Sequence, residues 1–269
     1  MAAIALSTGG RASQGLRRRL VPFTYDEIAA SIDEAQWKAD FGMTIHEFNA
    51  IHAALKLPVV IKTNVRDKVD SKTALLMVMG FLRGRMLNSL EGQYQWSASR
   101  ISRIHRATVD IIVREWSHLL DVTSTRHHLL SRERLTTYAQ AIESKTRLGL
   151  FWGAVDGTLR PISRPQTFQH AVYNGWKHMH ALKWQFIVTP DGLIFLYGPE
   201  DGARHDYVVW CNSGVSNWAR THAFDTAGNE LCLYGDKGYA KSFGLITPFR
   251  GQPEEMPPER NRFNQIMSA

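Results

Sequence analysis

Apolar positions recur at helical spacing from Thr24 to about Thr146 and change to short strand-like runs from Leu150 onward. The helical part opens on Thr24-Tyr25-Asp26-Glu27, which predicts a capping box with Thr24 as N-cap and Glu27 three residues on. Further helices are predicted over 46–55, 71–82, 87–94, 97–119 and 131–146, punctuated by Pro58 and by polar stretches near Asp67 and over 123–128. Strand-like runs follow at 151–155, 181–188, 193–197 and 231–234. Thr189-Pro190-Asp191-Gly192 lies between the second and third of these, with Pro to start a turn and Gly to accept its positive φ. Those two strands are therefore expected to be antiparallel. Residues 205–222 read as a helix crossing to the last strand, weakened or broken at Ser213-Gly214.

Texture thus divides the chain into an arm (1–23), a helical region (24–148) and a mixed α/β domain (149–269). With 269 residues, 44% of them apolar, a sizeable core can be buried. Lys and Arg outnumber Asp and Glu by 32 to 25, a formal charge of +7, which favours a polyanionic partner, nucleic acid before acidic membrane. Cys211 and Cys232 form no C-x-x-C pair and no Cys/His spacing for zinc. The longest apolar run, 74–82, falls far short of the ~20 residues a membrane-spanning helix needs. Ahead of Asp26 there is no acid, while Arg11, Arg17, Arg18 and Arg19 make the arm basic. Such an arm is a solvated tail, a DNA-backbone clamp, a nuclear localisation patch or an organelle transit peptide.

Within 97–119, Ile101, Ile104, Ile111 and Ile112 fall on one helical face and Arg100, Arg103 and Arg106 on another. A short helix and a turn at Gln95-Trp96 precede it, the shape of a helix-turn-helix whose second helix offers arginines to DNA. The competing reading is an ordinary surface helix with a basic wet side.

Asp156 follows the run 151–155 directly, and Asp236 follows 231–234 after Gly235. Both are placed at strand ends, where neighbouring strands would bring two carboxylates together. They would repel unless a divalent cation such as Mg²⁺ or Mn²⁺ lay between them. Taken singly, each is also an ordinary turn aspartate.

In order, Trp152-Gly153-Ala154-Val155-Asp156-Gly157-Thr158-Leu159-Arg160-Pro161-Ile162, then Tyr173-Asn174-Gly175-Trp176-Lys177-His178-Met179-His180-Ala181-Leu182-Lys183-Trp184-Gln185, then Pro190-Asp191-Gly192, Gly198-Pro199, Arg204-His205-Asp206 and Leu233-Tyr234-Gly235-Asp236-Lys237-Gly238-Tyr239 resemble the catalytic domain of Harbinger-type DDE transposases. The resemblance implies an RNase H-like fold and metal-dependent DNA strand cleavage and transfer in the nucleus. Asp156 and Asp236 would be the catalytic, metal-holding acids, with His205 and Asp206 supporting them and Lys177 and Lys183 as further DNA contacts. It also implies DNA as the partner, with room for a Myb-like partner protein and a homo-oligomer. The family's third acid is a glutamate on a final helix, shortly after a segment resembling residues 262–269. Glu254, Glu255 and Glu259 lie among Pro253, Pro257 and Pro258, a stretch not expected to form that helix. The expectation is therefore a core truncated before its last acid and impaired in activity. The alternative is a transposase-derived, non-catalytic DNA-binding or interaction protein. A dehalogenase-type phosphatase, suggested by Val155-Asp156-Gly157-Thr158-Leu159, lacks its nucleophile because Ala154 holds that place.

Overall fold

The computed structural model describes residues 24–126 and 129–268, so the basic arm lies outside the described residues. The chain forms two compact units that divide between Glu115 and Trp116. Among the described residues no helix is long and apolar enough to cross a membrane.

The first unit holds α1 (Tyr25–Ser31), α2 (Glu34–Phe41), α3 (Ile45–Leu55), β1 (Val60–Lys62), β2 (Lys68–Asp70), α4 (Ser71–Leu82), α5 (Leu87–Tyr94) and α6 (Ala98–Trp116). Thr24 and Glu27 close the expected capping box, and Thr44 with Glu47 closes a second one on α3. Trp37, Phe41, Phe48, Leu75, Leu76, Met77 and Tyr94 form the core, and α6 contributes Ile101 and Ile104 to it, with Ile111 and Ile112 at its margin. The hairpin of β1 and β2 was not expected. Each strand has one inward residue, Ile61 or Val69, too few for alternation to show in the sequence. Its turn is closed by Thr63, whose backbone N–H donates to Asp67 O at 3.1 Å and whose hydroxyl donates to the Asp67 carboxylate at 2.9 Å.

A 3₁₀ turn, Ser117–Leu120, opens the second unit, followed by α7 (Arg132–Thr146), β3 (Phe151–Pro161), α8 (Gln169–Val172), β4 (Tyr173–Asn174), β5 (Met179–Val188), β6 (Ile194–Asp201), α9 (Asp206–Asn212), α10 (Val215–His222), β7 (Cys232–Gly235), β8 (Leu245–Ile246) and α11 (Pro258–Ser268). β3 lies between β5, antiparallel to it, and β7, parallel to it. β8 extends the parallel side, while β6 and β4 pair antiparallel with β5. The β5–β6 hairpin turns at Gly192, with φ of 85°, as the Pro-Asp-Gly signal required. Residues 205–222 form two helices broken at Gly214, with φ of 73°.

Although helical texture runs to Thr146, α7 belongs with the sheet because the turn Asp191 grips it. Its carboxylate takes the Arg134 guanidinium at 2.7 Å and the Tyr138 hydroxyl at 2.7 Å, and Thr189 donates to it at 2.6 Å. Those donors, Thr189 and Tyr138 ahead of Arg134, hold the Asp191 carboxyl well below the usual carboxylate range.

Two expectations are corrected. β3 does not stop at Val155 but runs on to Pro161, because β5 keeps pairing with it out to Pro161↔Ala181. The proline-rich stretch does not forbid a helix. Pro258 is the first residue of α11, where its missing N–H costs nothing, and Glu259 stands in the first turn. Phe263 of α11 packs near Phe151, Tyr234 and Phe249, with ring centroids 5.4–6.4 Å apart. Asn264 fixes the helix further by bonding both the N–H and the carbonyl of Phe249.

Candidate active site

Val155 and Gly235 are the last partners in the parallel pairing of β3 with β7. Immediately beyond them the two strands part, and the next residues are Asp156 and Asp236. Asp156 is therefore a mid-strand residue at a fork, rather than a strand-end residue. The Gly157 N–H donates to Asp156 Oδ1 at 2.8 Å, and the Gly238 N–H donates to Asp236 Oδ1 at 2.9 Å. Each aspartate thus has its own backbone N–H to orient it.

Asp206, the first residue of α9, reaches the same fork. A Cβ on Gly157 would collide with Asp206 Oδ1. A Cβ on Gly238 would stand 3.0 Å from both Asp206 Oδ2 and Asp236 Oδ1, which limits the separation of those two oxygens to twice that distance. Two glycines therefore leave the room in which carboxylates from three elements come near one another without closing into a cage. The Asp156 carboxyl pKa is raised, first by partial burial and then by the negative charges of Asp236 and Asp206, against the lowering effect of the Gly157 N–H.

Two more residues belong to this cluster, and sequence reasoning assigned neither its place. Tyr239 is 1% exposed, its hydroxyl has no hydrogen-bond partner, and burial followed by the charges of Asp206, Asp156 and Asp236 pushes its pKa up. It stays a neutral donor beneath the acids. Lys183 is buried, its ammonium 3.2 Å from Asp206 Oδ1 and donating to the Arg204 carbonyl at 2.6 Å. Lys183, expected as a DNA contact, thus has its charge engaged inside the protein. The signal was its parity: Ala181, Lys183, Gln185 and Ile187 are the alternate, buried residues of β5.

A cavity of about 740 Å³ opens over the cluster, lined by Asp206, Asp236, Trp176, Lys177, Arg204 and His205 among others. Lys177 is exposed and free of ion pairs among the described residues, as a DNA contact requires. His205 occupies the N-cap position of α9 without a side-chain capping bond. Trp176 is 86% exposed, in a loop held by Asn174, which donates to Gly202 O at 2.7 Å and accepts from the Lys177 N–H at 2.9 Å.

The arginines of α6 do not all face outward. Arg103 pairs with Asp67 at 2.8 Å, and Arg100 lies 4.1 Å over the Trp96 ring with its Nη2 donating to Lys68 O. Both bind the hairpin to the helix, so these two arginines, expected to contact DNA, also have partners within the protein. Arg106 alone of the three is exposed and without an ion pair among the described residues.

Residues 155–269 match the family described as DDE superfamily endonuclease. That stretch contains Asp156, Asp206, Asp236, Lys183 and Tyr239, so the part of the second unit that holds the cluster is similar to DDE superfamily endonucleases, which generally use divalent metals. No curated protein and no solved structure matches the chain. Among the described residues no three His, Cys, Asp or Glu side chains are drawn together as a ready metal cage. The donor set fits Mg²⁺ or Mn²⁺ nonetheless, because hard carboxylate oxygens suit such ions, and Mg²⁺ keeps several waters and binds through one or two carboxylates. Tyr239, buried and unpartnered under the acids, supplies a proton donor that nothing in the protein uses.

Proposed function

We propose that the second unit is the catalytic core of a transposase-derived nuclease of Harbinger type, which cleaves and transfers DNA strands with a divalent metal. The observation that carries this reading is the convergence of Asp156, Asp206 and Asp236 at the β3/β7 fork, with a single buried lysine as their counter-charge. An RNase H-like core is supported by a central β3 with an antiparallel neighbour on one side and parallel neighbours on the other. Asp156 and Asp236 would hold the metal, with Asp206 positioned by Lys183 as the supporting acid. A divalent ion there supplies Lewis-acid stabilisation of the phosphodiester and a water or 3′-hydroxyl activated at neutral pH. Tyr239 would donate to a carboxylate and keep it oriented. Trp176 and Lys177 would hold the strand at the cavity mouth, the indole stacking on a base and the ammonium meeting a phosphate.

The test is nicking of supercoiled plasmid with Mg²⁺ or Mn²⁺. Metal-dependent nicking abolished in Asp156→Asn supports the nuclease. DNA binding with no nicking under either metal supports the non-catalytic module instead.

A further inference from the structure

The hairpin of β1 and β2 carries charge that nothing packed against it uses. Lys62 and Lys68 are direct cross-strand partners on the face opposite the buried Ile61 and Val69. Opposed residues of an antiparallel pair have Cβ atoms about 4.5–5.5 Å apart, and like charges placed so work against the pairing. Arg66 adds a third exposed cation at the turn. The acid within this turn, Asp67, is occupied by Arg103 at 2.8 Å and Arg100 at 3.9 Å, and the Arg103 hydrogen bond is the first cause holding its carboxyl below the usual range. That contact fixes the hairpin against α6. It leaves Arg106 pointing into a cleft of about 220 Å³ whose walls include Lys62, Thr63 and Asn64 from the hairpin and Asp110 from the helix. Neither Lys62 nor Arg106 has an ion pair among the described residues, and Asp110 is the one acid lining the cleft.

We propose that the cleft between the β1–β2 hairpin and α6 seats the phosphate backbone of duplex DNA. Lys62 grips it from the strand side, Arg106 from the helix side, and the turn residues Asn64, Val65 and Arg66 lie along the groove as a wing. Asp67 and Arg103 hold the two walls at a fixed spacing and do not touch DNA. Duplex DNA fits because its regularly spaced phosphates neutralise the opposed lysines and Arg106 together, releasing counterions as they bind. The inference concerns the first unit and does not depend on the nuclease reading.

Fluorescence anisotropy of the full chain with a labelled duplex, titrated over a range of salt in EDTA so that no cleavage interferes, tests it. Lys62→Ala with Arg106→Ala should lower the slope of log affinity against log salt by about two, with no fall in melting temperature. The charge-matched pair Lys38→Ala with Lys145→Ala should leave the slope as it was, and Lys62→Arg with Arg106→Lys should restore it. Arg103→Ala should lower the melting temperature, because it frees the hairpin. A folded Lys62/Arg106 double variant with an unchanged slope overturns the proposal, as does an equal loss in the Lys38/Lys145 control. So does dependence on Lys62 and Arg106 that appears with phosphatidylserine vesicles and not with the duplex.

Discussion

The Lys183 ammonium stands 3.2 Å from Asp206 Oδ1 and donates to the Arg204 carbonyl, so one buried cation ties the start of α9 to the centre of β5. Its removal leaves Asp206 beside two other carboxylates with no counter-charge. Breaking a fully buried pair costs about 3–5 kcal/mol. Asp206 still reaches water, so Lys183→Met should lower the unfolding free energy by about 1–3 kcal/mol, less than that limit. Urea unfolding checks it, and millimolar Mg²⁺ should return part of the loss by supplying the missing positive charge.

Asp156 carries its raised pKa into a pH dependence of fixed sign. The folded state binds the Asp156 proton more tightly than the unfolded chain, so in the absence of metal stability falls as pH rises from the ordinary carboxylate value through the raised one. Asp156→Asn should therefore melt higher than the parent at neutral pH in EDTA, with the difference vanishing at low pH where both are uncharged. Added Mg²⁺ should raise the melting temperature of the parent and leave the variant unmoved. A variant less stable than the parent at neutral pH in EDTA would contradict the repulsion among the three acids.

Gly157 is required by space. Its φ is not in the left-handed region, but a Cβ there meets the Asp206 carboxylate. Gly157→Ala should displace Asp206 and abolish Mg²⁺-dependent stabilisation, whereas Gly175→Ala, which opens onto free space, should preserve it. Thermal shift with and without Mg²⁺ distinguishes the two.

At the cavity mouth, Trp176→Ala should weaken single-strand DNA binding by the loss of one stacked base, about 1–3 kcal/mol. Trp176→Phe should keep most of it, since the ring face does the work. Anisotropy with a labelled single strand reads both, and equal affinity for parent and alanine variant removes Trp176 from the strand-holding role.

Much of this architecture was legible because its signals are local. The Thr24 capping box, the Pro190-Asp191-Gly192 turn and the break at Gly214 each depend on a few adjacent residues, and each is present. The hairpin at 60–70 was not legible, because its stability comes from two inward residues and from Arg100 and Arg103 more than thirty positions away. For the same reason the partners of the α6 arginines were not legible: a sequence shows three arginines on one face but not the Asp67 and Trp96 that engage two of them. In the site, the order of the blocks pointed to Asp156 and Asp236, while the closeness of Asp206 and the roles of Lys183 and Tyr239 depend on how α9 and β5 pack.

A divalent-cation site formed by Asp156 and Asp236 at the β3/β7 fork is what the proposed nuclease most depends on. Calorimetric titration of Mn²⁺ into the metal-free protein tests it most directly. The parent should bind with an affinity that falls at least tenfold in Asp156→Asn and in Asp236→Asn, and that is unchanged in Lys177→Ala. Equal Mn²⁺ affinity in the parent and both aspartate variants, all folded, would contradict the claim.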